Sequence, residues 1–206
     1  MTDPIHLALI DDDEAVLDSL QLYFKRKHVT ATCFQAAEDF LKVADSGGER
    51  FDCIIADVRM PRMSGLDLVQ HLKNRCSIHP IILITGHGDI DMAVAAVKAG
   101  ACDFIEKPFD ESRLLASVRD AVEKGRQRMN DRADLEQMQA RFELLSRRQR
   151  QVMELAAAGL SNKEIGAKLS ISPKTVENHR AWVMERIGAR NVAELVRIAI
   201  QIGMPV

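Results

Sequence analysis

The stretch Phe51-Asp52-Cys53-Ile54-Ile55-Ala56-Asp57-Val58-Arg59-Met60-Pro61-Arg62-Met63-Ser64-Gly65 decides the fold. Cys53 to Ala56 is a β-prone run that ends on a carboxylate and breaks into a loop bounded by proline and glycine. In a parallel sheet, ligands sit at the carboxyl ends of the strands, so Asp57 belongs at the sheet's upper rim. A single aspartate there is more often a helix cap or loop anchor. It gains weight because other segments send complementary groups to the same rim.

Those segments alternate in type. Leu7 to Ile10 is a short apolar strand running into Asp11, Asp12, Asp13 and Glu14. A helix follows with Val16, Leu17, Leu20 and Phe24 near helical spacing, and Lys25, Arg26 and Lys27 at the carboxyl end, where cations suit the dipole. Val29 to Phe34 reads as a strand and Ala36 to Ala44 as a helix. After Asp57, Ser64 caps a helix carrying Leu66, Val69 and Leu72. Ile81 to Ile84 is a strand ending at Thr85, and Asp89 opens the helix of Met92, Val94 and Val97. Asp103 to Ile105 is a last strand ending at Glu106-Lys107-Pro108-Phe109, followed by a helix over Glu111 to Arg126. Five strand–helix units predict an α/β domain with a five-stranded, doubly wound parallel sheet of flavodoxin-like form.

The bulk composition narrows the function. The 206 residues are 47% hydrophobic, enough for one large or two small cores. No apolar run approaches membrane-spanning length and no signal-peptide pattern opens the chain. Cys33, Cys53, Cys76 and Cys102 are scattered, with no thiolate pair or nearby His cluster, so disulfide and zinc readings fail and a reducing cytoplasm is expected. Residues 1–123 hold 13 Lys and Arg against 21 Asp and Glu, and residues 124–206 hold 15 against 9. An acidic front half and a basic back half predict two domains with different partners, the second suited to a polyanion.

At the rim, Asp11, Asp12 and Asp57 repel one another, by roughly 4 kcal/mol per pair at 4 Å and intermediate screening. Mg²⁺ together with Lys107 neutralises such a cluster, and all-oxygen ligation favours Mg²⁺ over zinc or copper. The hydroxyl of Thr85 completes a site able to accept a phosphoryl group on a carboxylate.

The strand-end acids, Asp57, Thr85 and the Lys107-Pro108 pair resemble the receiver domain of two-component response regulators. That resemblance implies that Asp57 is the phosphoacceptor, with Thr85 and Lys107 acting on the phosphoryl group. It implies Mg²⁺ ligation by Asp12, Asp57 and the backbone carbonyl of Arg59, with Asp11 acting through water. It also implies a switch pair of Thr85 and Phe104, and a cis Lys107–Pro108 peptide. Asp13 reads as a solvated helix start. His87 stands over the acyl phosphate or is a plain turn residue, and both readings stay open.

Asp11-x-Asp13 after a strand also resembles haloacid-dehalogenase-type phosphatases. The fifth position is Ala15 rather than Thr or Val, and no cap-sized insertion follows. Catalysis is therefore expected only on the chain's own acyl phosphate, not as turnover of an outside substrate.

Residues 124–145 read as a charged, glycine-poor helical linker with Leu135, Met138 and Phe142 at helical spacing. Residues 146–206 form a small all-α domain of four short helices. Their starts are marked by Ser146-x-x-Gln149, Ser161-x-x-Glu164, Ser172-Pro173 and Asn191-x-x-Glu194. Gly159 to Leu169 followed by Ser172 to Arg180 resembles the LuxR-type helix-turn-helix DNA-binding domain, and the whole chain is similar to FixJ-type response regulators of the NarL/FixJ class.

Lys174 to Ile187 is then the recognition helix, with Val176, Val183 and Ile187 on its core face. The resemblance places Glu177, Asn178 and Ala181 against base edges. Lys163, Lys174, Thr175 and His179 are phosphate candidates, and Arg180 reaches a phosphate or a base. Trp182 either touches the DNA backbone or packs on another helix. Val192, Leu195, Val196 and Ala199 are assigned to dimerisation. The expected partners are a sensor histidine kinase, double-stranded operator DNA, RNA polymerase and, on phosphorylation, a second copy of the chain, with no membrane. Activation of transcription is the expected output, and the alternative is constitutive DNA binding with the receiver as a docking module.

Overall fold

The computed structural model describes residues 4–47, 49–75, 79–86 and 90–204. His87, expected over the acyl phosphate or in a turn, and Asp89, expected to open a helix, lie outside the described residues. The chain divides into two compact units, Met1–Met129 and Asn130–Val206.

In the first unit the elements are β1 (His6–Ile10), α1 (Glu14–Arg26), β2 (Thr30–Phe34), α2 (Ala37–Ser46), β3 (Cys53–Asp57), α3 (Gly65–Asn74), β4 (Ile81–Thr85), α4 (Ile90–Ala99), β5 (Asp103–Glu106) and α5 (Glu111–Glu143). The sheet is parallel with strand order β2-β1-β3-β4-β5. Every residue of β3 and β4 is buried, as expected for a parallel sheet covered on both faces.

Alternation along the strands makes two cores. Ala8, Ile10, Ile54, Ala56 and Leu83 face one way and meet Phe40 of α2, Leu68 and Val69 of α3 and Ala96 of α4. Leu7, Leu9, Ile55, Ile82, Ile84 and Ile105 face the other way, onto Leu17, Leu20 and Phe24 of α1 and Leu114 and Val118 of α5. Each fully buried Leu, Ile or Phe contributes about 1.5–3 kcal/mol. In this strand order the chain leaves β1 toward β2 and re-enters on the other side as β3. A crevice therefore opens at the carboxyl ends of β1 and β3, and Asp11 and Asp57 stand there.

The helix expected to end at Arg126 continues to Glu143. The segment from Lys124 is helical, as its composition implied, because no glycine or proline interrupts it after Gly125. Gly125 itself is buried, and a Cβ there would stand 3.2 Å from Pro80 Cγ.

The second unit holds the end of α5, then α6 (Arg147–Ala157), α7 (Asn162–Leu169), α8 (Pro173–Ile187) and α9 (Val192–Gln201). Ser146 and Ser161 form reciprocal capping boxes with Gln149 and Glu164. Ser172 caps α8 ahead of Pro173. Asn191 accepts from Glu194 N, while the Glu194 carboxylate turns to Arg190 N, one residue earlier than a capping box requires. The core gathers Leu145, Val152, Met153, Ile165, Val176, Val183, Ile187, Leu195, Ile198 and Ala199. Met138 and Phe142 pack on it, with the Arg150 guanidinium 5.0 Å from the Phe142 ring centre. The core therefore draws on residues before Ser146.

Candidate functional site

Asp57 closes β3 and is 7% exposed, and Asp11, just past β1, is 2% exposed. Lys107 follows β5, and its Nζ donates to Asp57 Oδ1 at 2.8 Å and to Asp11 Oδ2 at 2.8 Å. The remaining oxygens are also addressed: Arg59 N donates to Asp57 Oδ2 at 2.6 Å, and Asp13 N to Asp11 Oδ1 at 3.0 Å. One ammonium thus bridges two carboxylates 46 residues apart in sequence.

The electrostatics follow from burial. Desolvation raises the Asp11 carboxyl above the usual carboxylate range, and the hydrogen bonds from Lys107 and Asp13 oppose it only in part. For Lys107, burial pulls the ammonium down, but its hydrogen bonds to Asp11 and Asp57 outweigh that and leave it raised. It is a firm cation at neutral pH.

The loop after Asp57 is held close. Val58 N donates to Ile84 O at 2.8 Å and Gly65 N to Val58 O at 3.1 Å. A Cβ on Gly65 would collide with the backbone oxygen of Asp57. Glycine is required there so that α3 can begin against the strand end. Ser64 and Asp67 cap α3 reciprocally.

Thr85 ends β4, fully buried, one residue beyond the Ile84 that pairs with Asp57, and its carbonyl accepts from Lys107 N at 2.7 Å. Phe104 on β5 is half-buried against the first core. The Lys107–Pro108 peptide is cis, as the resemblance implied. Asp12 is exposed at the rim. Asp13 caps α1 by accepting from Ala15 N at 2.9 Å, which is the solvated helix start expected.

The donor set suits a hard cation. Asp11 and Asp57 are acceptor-only carboxylates at a crevice mouth, beside the exposed Asp12 and the Arg59 main chain. Among the described residues no three His, Cys, Asp or Glu side chains are gathered as a ready metal cage. Mg²⁺ does not need one, since it keeps several waters and takes one or two carboxylates. The residues present fit it.

In the second unit, α7 and α8 make the two-helix arrangement. Ser170 takes a left-handed φ of 56°, and Ile171 N donates to Gly166 O at 3.0 Å. A Cβ on Gly166 would lie 2.7 Å from Ile171 O, so the turn closes tightly there. Val176, Val183 and Ile187 are buried. Lys163, Lys174, Glu177, Asn178 and Ala181 are exposed, and Thr175, His179 and Arg180 are half-exposed. Lys174 pairs with Glu177 at 3.0 Å.

The model of the response regulator receiver domain matches residues 7–119, and that of the bacterial regulatory proteins of the luxR family matches residues 143–199. The transcriptional regulatory protein FixJ of Bradyrhizobium diazoefficiens is 42% identical over 204 residues, 99% of this chain and 98% of its own. This chain belongs to the FixJ-type response regulators. Among solved structures, the response regulator StyR superposes with a TM-score of 0.82 at 33% identity, over 96% of this chain and 99% of its own. Full-length FixJ from B. japonicum gives 0.60 at 41% identity, covering 100% of both chains.

Within this FixJ-type regulator the α9 assignment needs correction. Leu195 and Ala199 are 1% and 0% exposed and belong to the core of the second unit, so they have no surface for a partner. Val196 is half-buried, whereas Val192 at 41% and Ile200 at 60% face outward. The helix is apolar on most sides, and its stripe alone did not say which side the core would claim.

One residue of the regulator's DNA-binding unit escaped the sequence reading. Asn162 Oδ1 accepts from Arg180 Nη1 at 2.9 Å. The two stand 18 residues apart on different helices, so no local pattern announces the pair. Trp182 is exposed and stands outside the buried core of its unit.

Proposed function

We propose that a sensor histidine kinase transfers its phosphoryl group to Asp57, and that this modification controls DNA binding by the LuxR-type domain. The observation that carries the reading is Lys107 bound to both Asp11 and Asp57 at the carboxyl rim of the sheet. An Asp57 oxygen attacks phosphorus while the phosphorus–nitrogen bond of the donor phosphohistidine breaks, leaving an acyl phosphate on Asp57 and the histidine free. Lys107 holds a phosphoryl oxygen, and the Thr85 hydroxyl donates to another. Asp12, Asp57 and the Arg59 carbonyl, with Asp11 through water, would hold Mg²⁺, which supplies charge neutralisation to the transferring phosphoryl group.

Once phosphorylated, Asp57 competes for Lys107 and draws Thr85 toward the rim, with Phe104 following. The surface beside Phe104 is apolar: Ile90, Val94 and Val97 on α4 are 82%, 44% and 62% exposed. This face pairs two copies, which then place two α8 helices on a two-half-site operator. Glu177, Asn178 and Ala181 read bases, while Lys163, Lys174, Thr175 and His179 address phosphates. The output is activation through RNA polymerase.

Acetyl phosphate with Mg²⁺ should label the wild type and shift it to dimers, and Asp57→Asn should do neither. Dimers and operator affinity unchanged by beryllofluoride would instead make the receiver a docking module on a constitutive DNA binder.

A further inference from the structure

Trp182 is the chain's one tryptophan, and 57% of its surface is exposed. It sits on α8 outside the core formed by Val176, Val183 and Ile187. At about 100° per residue it lies on the strip of Asn178, one turn further along the helix. Arg186 and His179 flank it on the side away from Ala181, and Glu185 on the side toward Ala181. Residues 146–206 carry ten Lys and Arg against five Asp and Glu.

We propose that Trp182 docks on the sugar–phosphate backbone of duplex DNA at the edge of the groove that α8 enters. This deepens the DNA-binding reading above and rests on it. The ring lies on deoxyribose carbons, and Nε1–H donates to a phosphate oxygen. Three arguments converge. The indole offers one donor and no acceptor, and the DNA backbone offers acceptors and no donor. The basic flank, His179 and Arg186, lies on the outer side, where phosphates run beside a helix whose base-facing strip holds Asn178 and Ala181. An apolar plane with a polar edge also suits a surface that is half sugar and half anion. The contact positions α8 without reading sequence, so any duplex should show it.

The test uses the full chain, beryllofluoride-activated, and a mixed-sequence DNA duplex at low salt. Selectively excited emission then reports residue 182 alone. Adding duplex should quench it and shield it from acrylamide, and both changes should reverse with salt. Trp182→Phe keeps a ring but loses the donor and should weaken binding of a labelled duplex about tenfold. Trp182→Ala should weaken it more, with labelling of Asp57 and thermal melting unchanged. Unmoved emission with wild-type affinity in both variants overturns the proposal and leaves DNA binding standing. Lost affinity without any emission change marks an indirect effect and also overturns it. So does emission that varies with protein concentration alone, which would put a second copy over Trp182. Failure of the wild type to bind any duplex overturns this proposal and the DNA-binding reading together.

Discussion

The Lys107 ammonium lies 2.8 Å from Oδ1 of Asp57 and makes a second bond of the same length to Asp11. Both oxygens of Asp57 are therefore oriented, one by Lys107 and the other by Arg59 N. That state is costly, because burial has already penalised the charge on Asp11.

Lys107→Met should leave the two carboxylates facing each other without a shared cation. The first unit should lose about 1.5–3 kcal/mol, the range for hydrogen bonds to charged groups, read from urea melts. Labelling by acetyl phosphate should slow at least about tenfold. Wild-type labelling by the variant would show that Lys107 does not act on the phosphoryl group.

Gly65→Ala forces a methyl group into the Asp57 carbonyl. Overpacking of this kind costs about 1–3 kcal/mol, and because the carbonyl belongs to Asp57, the proposed phosphoacceptor, labelling should fall along with the melting temperature. A variant that melts early but labels at full rate would place the strain elsewhere.

Arg180 and Asn162 should behave as a coupled pair. Singly, Asn162→Ala and Arg180→Met should each destabilise the second unit by about 1 kcal/mol, and the double variant should cost less than their sum. Strictly additive effects on melting would mean that the 2.9 Å bond contributes nothing in solution.

His79 supplies a pH signature. Burial, aided by the charge of Arg50 and opposed by Asp52, holds its imidazole below the usual range. The unfolded chain takes up a proton near pH 6.5 that the folded chain accepts only lower. Stability from neutral His79 is therefore complete above that value and is lost as pH falls through the window down to the folded pKa. Melting temperatures across mildly acidic pH should fall less steeply for His79→Gln than for the wild type.

Where local pattern suffices, the sequence spoke clearly. Asp57 could be placed because an apolar run of strand length ended on it, and Asp13 because an acid before a helix is a cap. The helix starts of the second unit were equally plain, since each capping residue lies within three positions of the amide it serves. The length of α5 was less so: Met138 and Phe142 sat at helical spacing, but spacing does not say which core receives them.

The sequence by itself determined the alternation of strands and helices, the groups at the strand ends and the face of α8 that turns inward, because periodicity and capping act over a few residues. Only the tertiary structure decided that Lys107 binds Asp11 and Asp57 at once, that Asn162 holds Arg180, and that the α9 core claims Leu195 and Ala199 while Trp182 stays outside. Those outcomes depend on distances between segments far apart in the chain. Such distances come from how whole faces pack, which no short stretch encodes alone.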